Sequence, residues 1–177
     1  MELRPLPVLI SVAVTSAVLF GGWFAYRSLA MENPLSETVH GIPGVVKADM
    51  TIDSDTVHLE LALEPDADLR AIMAQIREEG QDIIEDRNIE LTIDNNASPE
   101  LDGWWSRMLF DVAEAMEHRR YSDIPKTLNA NKDLLEGLSV HTSMDDENVY
   151  IRLNHGNHSK FVVLPREPAM LGVWSHE

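Results

Sequence analysis

From Pro5 to Tyr26 the chain runs for 22 residues without a charge, PLPVLISVAVTSAVLFGGWFAY. Few folds accommodate such a run. A helix of about 20 apolar residues crosses the roughly 30 Å hydrocarbon core of a bilayer. A surface helix of a soluble domain keeps a polar face, and this stretch has none. Trp23 and Tyr26 stand where amphipathic rings favour the headgroup layer, and Arg27 stops the run. These three residues are the expected membrane anchor, with residues 1–27 as short tail and span. Ser28-Leu29-Ala30 would also suit a signal-peptidase cut, but Arg27 lies where a neutral stretch is usual. The expected arrangement is a single pass with the N-terminus inside and the rest outside the cytoplasm, at the cell membrane of a bacterium.

The remaining residues are strongly acidic. The whole chain has 14 Lys+Arg against 30 Asp+Glu, a net charge of −16, and no cysteine. Lack of cysteine removes disulfides, thiol catalysis and Cys-based zinc sites. The acidic balance argues against nucleic acid, whose phosphates require clustered cations. Residues 28–100 hold 17 acids and 4 bases, net −13, whereas residues 101–177 hold 12 and 8, net −4. The first part therefore presents either a solubilising surface or a face for a basic partner.

After a linker at 28–34, with a turn at Asn33-Pro34, a short helix is expected over about 34–40. Val46, Ala48, Met50 and Ile52 then alternate with polar residues, and Val57, Leu59, Leu61 and Leu63 do so again beyond Asp53-Ser54-Asp55. Period two on both sides of a turn predicts an antiparallel hairpin with one wet face. Leu69, Ile72, Met73, Ile76, Ile83 and Ile84 form a helical stripe that runs through Gly80, and Ile89, Leu91 and Ile93 predict a third strand. Ser98-Pro99-Glu100 is a strong helix start. The helix that follows carries Leu101, Trp104, Trp105, Met108, Leu109, Val112 and Met116 and bends or breaks between Tyr121 and Pro125. A short helix to Leu135, ended by Gly137, and three further strands complete the order, with an irregular segment after Pro165.

The expected fold is therefore α+β: an N-terminal transmembrane helix, an αββαβ module over 35–96, and over 97–177 a long helix, a short helix and a β-meander packed on it. The sheet is expected to be mainly antiparallel with helices on one face. ADMTIDSDTVHLEL (48–61) aligns with VHTSMDDENVYIRL (140–153), with Asp53 on Asp145, Val57 on Val149 and Leu61 on Leu153. Duplication and independent hairpin chemistry both produce such a likeness.

Catalytic motifs are lacking. No zinc-protease, phosphate-loop, nucleophile-elbow or dinucleotide pattern occurs, and neither enzymatic activity nor a cofactor or metal is expected. His155 and His158 read as loop histidines, Asp145-Asp146-Glu147 as a turn without the glycine and glutamate of a calcium loop, and Glu114, Glu117 and His118 as a solvated helix end. His58 and His141 fall on polar-face strand positions and could approach one another if the hairpins pack side by side. Trp104 and Trp105 point about 100° apart on a helix. Either both are core, or one is an exposed anchor for a partner. Trp104, Trp105, His58 and His141 are the candidate partner-binding residues.

GIPGVVKADMTI (41–52), TVHLELAL (56–63), the helix from Asp68 and IELTI (89–93) together resemble the ring-building motif of bacterial secretion, flagellar and sporulation membrane assemblies. BON-type and sporulation lipoprotein domains share that element order. The resemblance covers about a third of the chain. It implies modules packed side by side around a membrane-anchored ring, through self-association or a protein partner. The expected function is a non-enzymatic, membrane-anchored extracytoplasmic assembly or interaction module of an envelope complex, with sporulation among the implied settings. The alternative is a ligand- or pH-sensing extracytoplasmic domain.

Overall fold

The structure is a computed structural model that describes residues 5–27, 39–53, 55–84 and 87–166. The expected linker, most of the expected 34–40 helix, the Ser28–Ala30 site and the segment after Arg166 lie outside the described residues, as do the side chains of Arg27 and Ile83.

Helix α1 spans Pro5–Arg27. Its described side chains are those of residues 11–23 and 26. Apolar character is spread round the helix rather than gathered on one face. Its large apolar residues, from Val12 to Tyr26, are 57–75 % exposed. Among the described residues no helix is long and apolar enough to cross a membrane. The expected span, 5–26, extends beyond those side chains.

Strands β1 (Val45–Ile52) and β2 (Thr56–Leu63) form the expected hairpin, with Ile52 opposite Val57 and Ala48 opposite Leu61. A bulge between Val45 and Lys47 shifts the register. The extra residue turns Val46 outwards, which is why it is 61 % exposed although the alternation places it on the inner face. Gly44, just before β1, has φ +91°, and a Cβ there would lie 3.0 Å from the Ala67 Cβ. Both demands select glycine.

Helix α2 (Leu69–Glu79) is capped by Asp68, whose side chain accepts from the Ala71 N–H at 3.1 Å. It buries Leu69, Ile72, Met73 and Ile76. The stripe does not continue as one helix. Gly80 closes α2, its N–H donating to Ile76, and a short α3 (Gln81–Ile84) follows. Glycine is costly within a helix and suits its end. Strand β3 (Asn88–Asp94) returns parallel to β2, giving a first sheet of order β1-β2-β3.

Helix α4 (Pro99–Glu117) starts as expected, with the Ser98 hydroxyl accepting from the Leu101 N–H at 3.3 Å. Its own backbone N–H and then the Ser98 hydroxyl hold the Glu100 carboxyl below its ordinary value, which suits the positive end of a helix. After α5 (Asp123–Asn131) and a turn of 3-10 helix, strands β4 (Leu138–Met144), β5 (Asn148–His155) and β6 (His158–Pro165) form a second, wholly antiparallel sheet of order β4-β5-β6.

The class is α+β, but among the described residues the six strands make two sheets rather than one, and the first is mixed because α2 carries the chain back to the starting end. There are two cores. The first joins β1, β2 and α2 and takes in Tyr150 and Phe161 from the second sheet. The second joins α4 and α5 to Val149, Ile151 and Leu153 of β5. Alternate residues of β5 thus serve different cores. The second sheet is covered on both faces, by helices on one side and by the first module on the other, which corrects the expectation of a single helix-covered face.

Candidate functional site

Three regions gather polar or exposed groups. The first is the outer face of the β1-β2-β3 sheet. Strand period two places Thr51, His58, Glu60, Glu90 and Thr92 opposite the core residues. His58 is exposed and stands between two carboxylates, with Nδ1 2.9 Å from Glu90 and Nε2 3.3 Å from Asp53. His141 is also exposed, but on β4, opposite Arg152. The first sheet lies between His58 and the second module, so the two histidines belong to different surfaces. The hairpin alignment sets Tyr150, not His141, in the place of His58.

The second region is the joint between the modules. Asp145 opens the β4–β5 turn, and its Oδ1 accepts from the N–H groups of Glu147 at 2.9 Å and Asn148 at 2.7 Å. Its Oδ2 accepts from the Tyr150 hydroxyl at 2.6 Å and from Arg77 of α2 at 3.2 Å. Arg77 also pairs with Glu147 at 2.5 Å, and Arg70 donates to the Met144 carbonyl at 3.3 Å. The turn expected from Asp145-Asp146-Glu147 is therefore a clamp for α2. Burial pushes the Asp145 carboxyl up, but the bonds from Tyr150, Asn148, Glu147 and Arg77 outweigh it and hold it below the usual carboxylate range. Burial first and Asp145 second push the Tyr150 hydroxyl up to about 12. For Arg77, burial works against the charge, while Tyr150, Glu147 and Asp145 together raise its value.

The same strand reaches the first module twice more. Arg152 donates to the carbonyls of Asp66 and, at 2.7 Å, Ala67, and Asn154 donates to Pro65 at 2.7 Å. Beside the clamp a cleft of about 690 Å³ opens between Met73, Arg77 and Arg87 on one side and Glu147 and Val163 on the other. Arg77 there is already engaged by two carboxylates. Among the described residues no group of three or more His, Cys, Asp or Glu side chains is placed to hold a metal.

The third region is α4. Trp104 is 0 % and Trp105 8 % exposed. Helix α4 is wedged between the second sheet and α5, so directions 100° apart are both covered, and the Trp104 indole N–H donates to the Asn131 carbonyl at 3.1 Å. Neither ring is an exposed anchor in the folded domain. The exposed apolar groups are their neighbours Phe110, at 80 %, and Leu109, at 44 %. Phe110 falls off the stripe 101, 104, 105, 108 and 112, and an apolar residue on the polar arc was the signal available in the sequence. His158, read as a loop histidine, has Nδ1 3.1 Å from the Asn96 carbonyl. Glu114 pairs with Arg120 at 3.1 Å on the exposed end of α4.

Comparison with family models, curated proteins and solved structures finds no match for this chain.

Proposed function

We propose that this chain is a non-enzymatic assembly module, held at the outer side of a bacterial cell membrane by residues 5–26. The observation that carries the reading is the exposure of α1: seven large apolar side chains from Val12 to Tyr26 stand 57–75 % open with no polar face beside them. Exposed apolar surface on this scale marks a lipid or protein contact. The helix backbone runs for 23 residues, about 34 Å at 1.5 Å per residue, and the proposed span takes in residues 5–10, 24 and 25, whose side chains lie outside those described. Trp23 and Tyr26 lie at its later end, as headgroup anchors do. Anchoring confines the acidic domain to two dimensions and raises its effective concentration for side-by-side packing. The β-β-α-β order over 45–94 suits the ring-building resemblance, and an envelope assembly such as those of sporulation is the proposed setting.

The test is fractionation of full-length chain expressed in a bacterium, followed by alkaline extraction, external proteolysis and crosslinking. The expected result is chain retained in the membrane pellet, cut only from outside, and crosslinked into oligomers or to one constant partner. Release by alkali would overturn the anchor, and a purely monomeric pattern would overturn the assembly role.

His58 between Asp53 and Glu90 favours a second reading, a pH-responsive outer face. An NMR titration of His58 before and after Glu90→Gln would show coupled shifts under this reading. Unchanged, independent titration would remove it.

A further inference from the structure

Strand β3 ends the first sheet and β6 ends the second. The linker ties them at one end. The Asn96 carbonyl accepts from the Ser159 N–H at 3.2 Å, and the Asn95 side chain bonds both backbone groups of Phe161. The chain runs towards this tie along β3 and away from it along β6, so the two strands run antiparallel. Beyond the tie they do not pair. The cleft of about 690 Å³ lies between them, with Asn88, Ile89 and Leu91 on one wall and Val163 and Pro165 on the other.

One bond in each strand fixes where its backbone groups point. The Asn88 N–H donates to Asp55 at 3.0 Å, towards β2. Two-residue alternation then turns the N–H and C=O groups of Ile89 and Leu91 away from β2. The Ser159 N–H points away from β5, to Asn96, and the groups of Val163 point the same way. Among the described residues these groups have no hydrogen-bond partner. Unpaired strand edges are templates for another strand, and here two of them flank one cleft. Its inner wall adds the buried, apolar Met73 and Ile84. We infer that this cleft takes an extended, basic segment of a partner protein, paired with β3 on one edge and β6 on the other.

An inserted strand would join the two sheets, gaining affinity from main-chain bonds and selectivity from alternate apolar side chains against Met73 and Ile84. Charge decides the kind of partner. Arg77 and Arg87 line the cleft together with Asp146 and Glu147, and Arg77 is held by Asp145 and Glu147. The local lining is therefore mixed, and the field an approaching segment meets is set by the whole chain, net −16. That field draws in basic segments and disfavours a second copy, which carries the same charge. The inference rests neither on the membrane anchor nor on self-association.

The test uses full-length chain in a neutral detergent. The probe is an acetylated, amidated heptapeptide of alternating lysine and valine. One control carries N-methyl groups on its valines, which keep the charge and block one strand edge; another replaces lysine by glutamate. The expected result is binding of the probe at least about tenfold tighter than either control, the equivalent of one or two edge hydrogen bonds. Amide exchange at Ile89, Leu91 and Val163 should slow on binding. Val163→Pro, which withdraws an outward N–H at a sheet edge, should weaken binding by about tenfold. Should that variant fail to fold, the methylated control on the parent chain decides alone. Equal binding of the methylated peptide, tighter binding of the glutamate peptide, no binding, or no change in exchange at those three amides would each overturn the inference.

Discussion

Residues 48–61 and 140–153 form hairpins in the same register. Ala48 faces Leu61 as Val140 faces Leu153, and Ile52 faces Val57 as Met144 faces Val149. The turns close alike, Asp53 N–H to Thr56 at 2.8 Å and Asp145 N–H to Asn148 at 3.0 Å. What differs is the fate of the second face. In the first hairpin it is wet and carries His58. In the second the equivalent position is Tyr150, 2 % exposed and bonded to Asp145. One pattern of alternation thus builds an outer wall in one place and an internal partition in the other. The side chains on the non-core face decide which: an aromatic ring with a polar tip and a long guanidinium can be buried against another module when their hydrogen bonds are met.

The comparison can be broken most severely at Tyr150. Tyr150→Ala removes a buried ring shared by both modules and is expected to cost about 3–5 kcal/mol, measured by denaturant unfolding; His58→Ala in the same assay serves as the reference. Next come the glycines that precede each first strand. Gly44→Ala combines a left-handed φ with a Cβ 3.0 Å from Ala67, and a loss of about 2–3 kcal/mol is expected. Gly137 has φ +82° but open space around it, so Gly137→Ala is expected to cost only about 1 kcal/mol.

Tyr150→Phe keeps the ring and withdraws one donor from Asp145, at about 1–2 kcal/mol. It also has a signature in pH. The folded value of Tyr150 is raised from 10.0 to about 12, so its contribution is complete below pH 10.0 and is lost as pH rises towards 12. The Phe variant should lack that alkaline loss in unfolding curves collected across the window. Asp145 behaves in the opposite sense. Its folded value is lowered from 3.8, so its contribution is complete above that pH and disappears as pH falls through the folded value. Asp145→Asn should therefore be destabilising at neutral pH and converge on the parent in acid. The smallest effect is expected for His58→Tyr, which places the second hairpin's residue on a wet face; a change within about 0.5 kcal/mol would sharpen the contrast.

Much of this architecture was legible because local rules govern it. The hairpins followed from period two, the turns from their acids, and the start of α4 from Ser98 and Pro99. The bulge that expels Val46 left no mark in the alternation. Division into two sheets depends on contacts distant in sequence, and so does the burial of Tyr150 on the strand face opposite Val149, Ile151 and Leu153. Trp104 and Trp105 stood out because neighbours on a helix point about 100° apart, yet that spacing says nothing of coverage, and α5 with the second sheet encloses both. Phe110 was passed over because its neighbours explained the helix without it.

The linker between the modules has a consequence for how the chain assembles in time. Asn95 behaves as a fragment of strand beside β6: its Oδ1 accepts from the Phe161 N–H at 2.7 Å and its amide donates to the Phe161 carbonyl at 3.3 Å, while the Asn96 carbonyl accepts from Ser159 at 3.2 Å. These partners lie more than 60 residues apart. A ribosome delivers Asn95 and Asn96 well before β6, so the late strand meets a waiting template that shields its edge from neighbouring nascent chains. The same stitch couples the last strand to the linker through hydrogen bonds that neither can make alone.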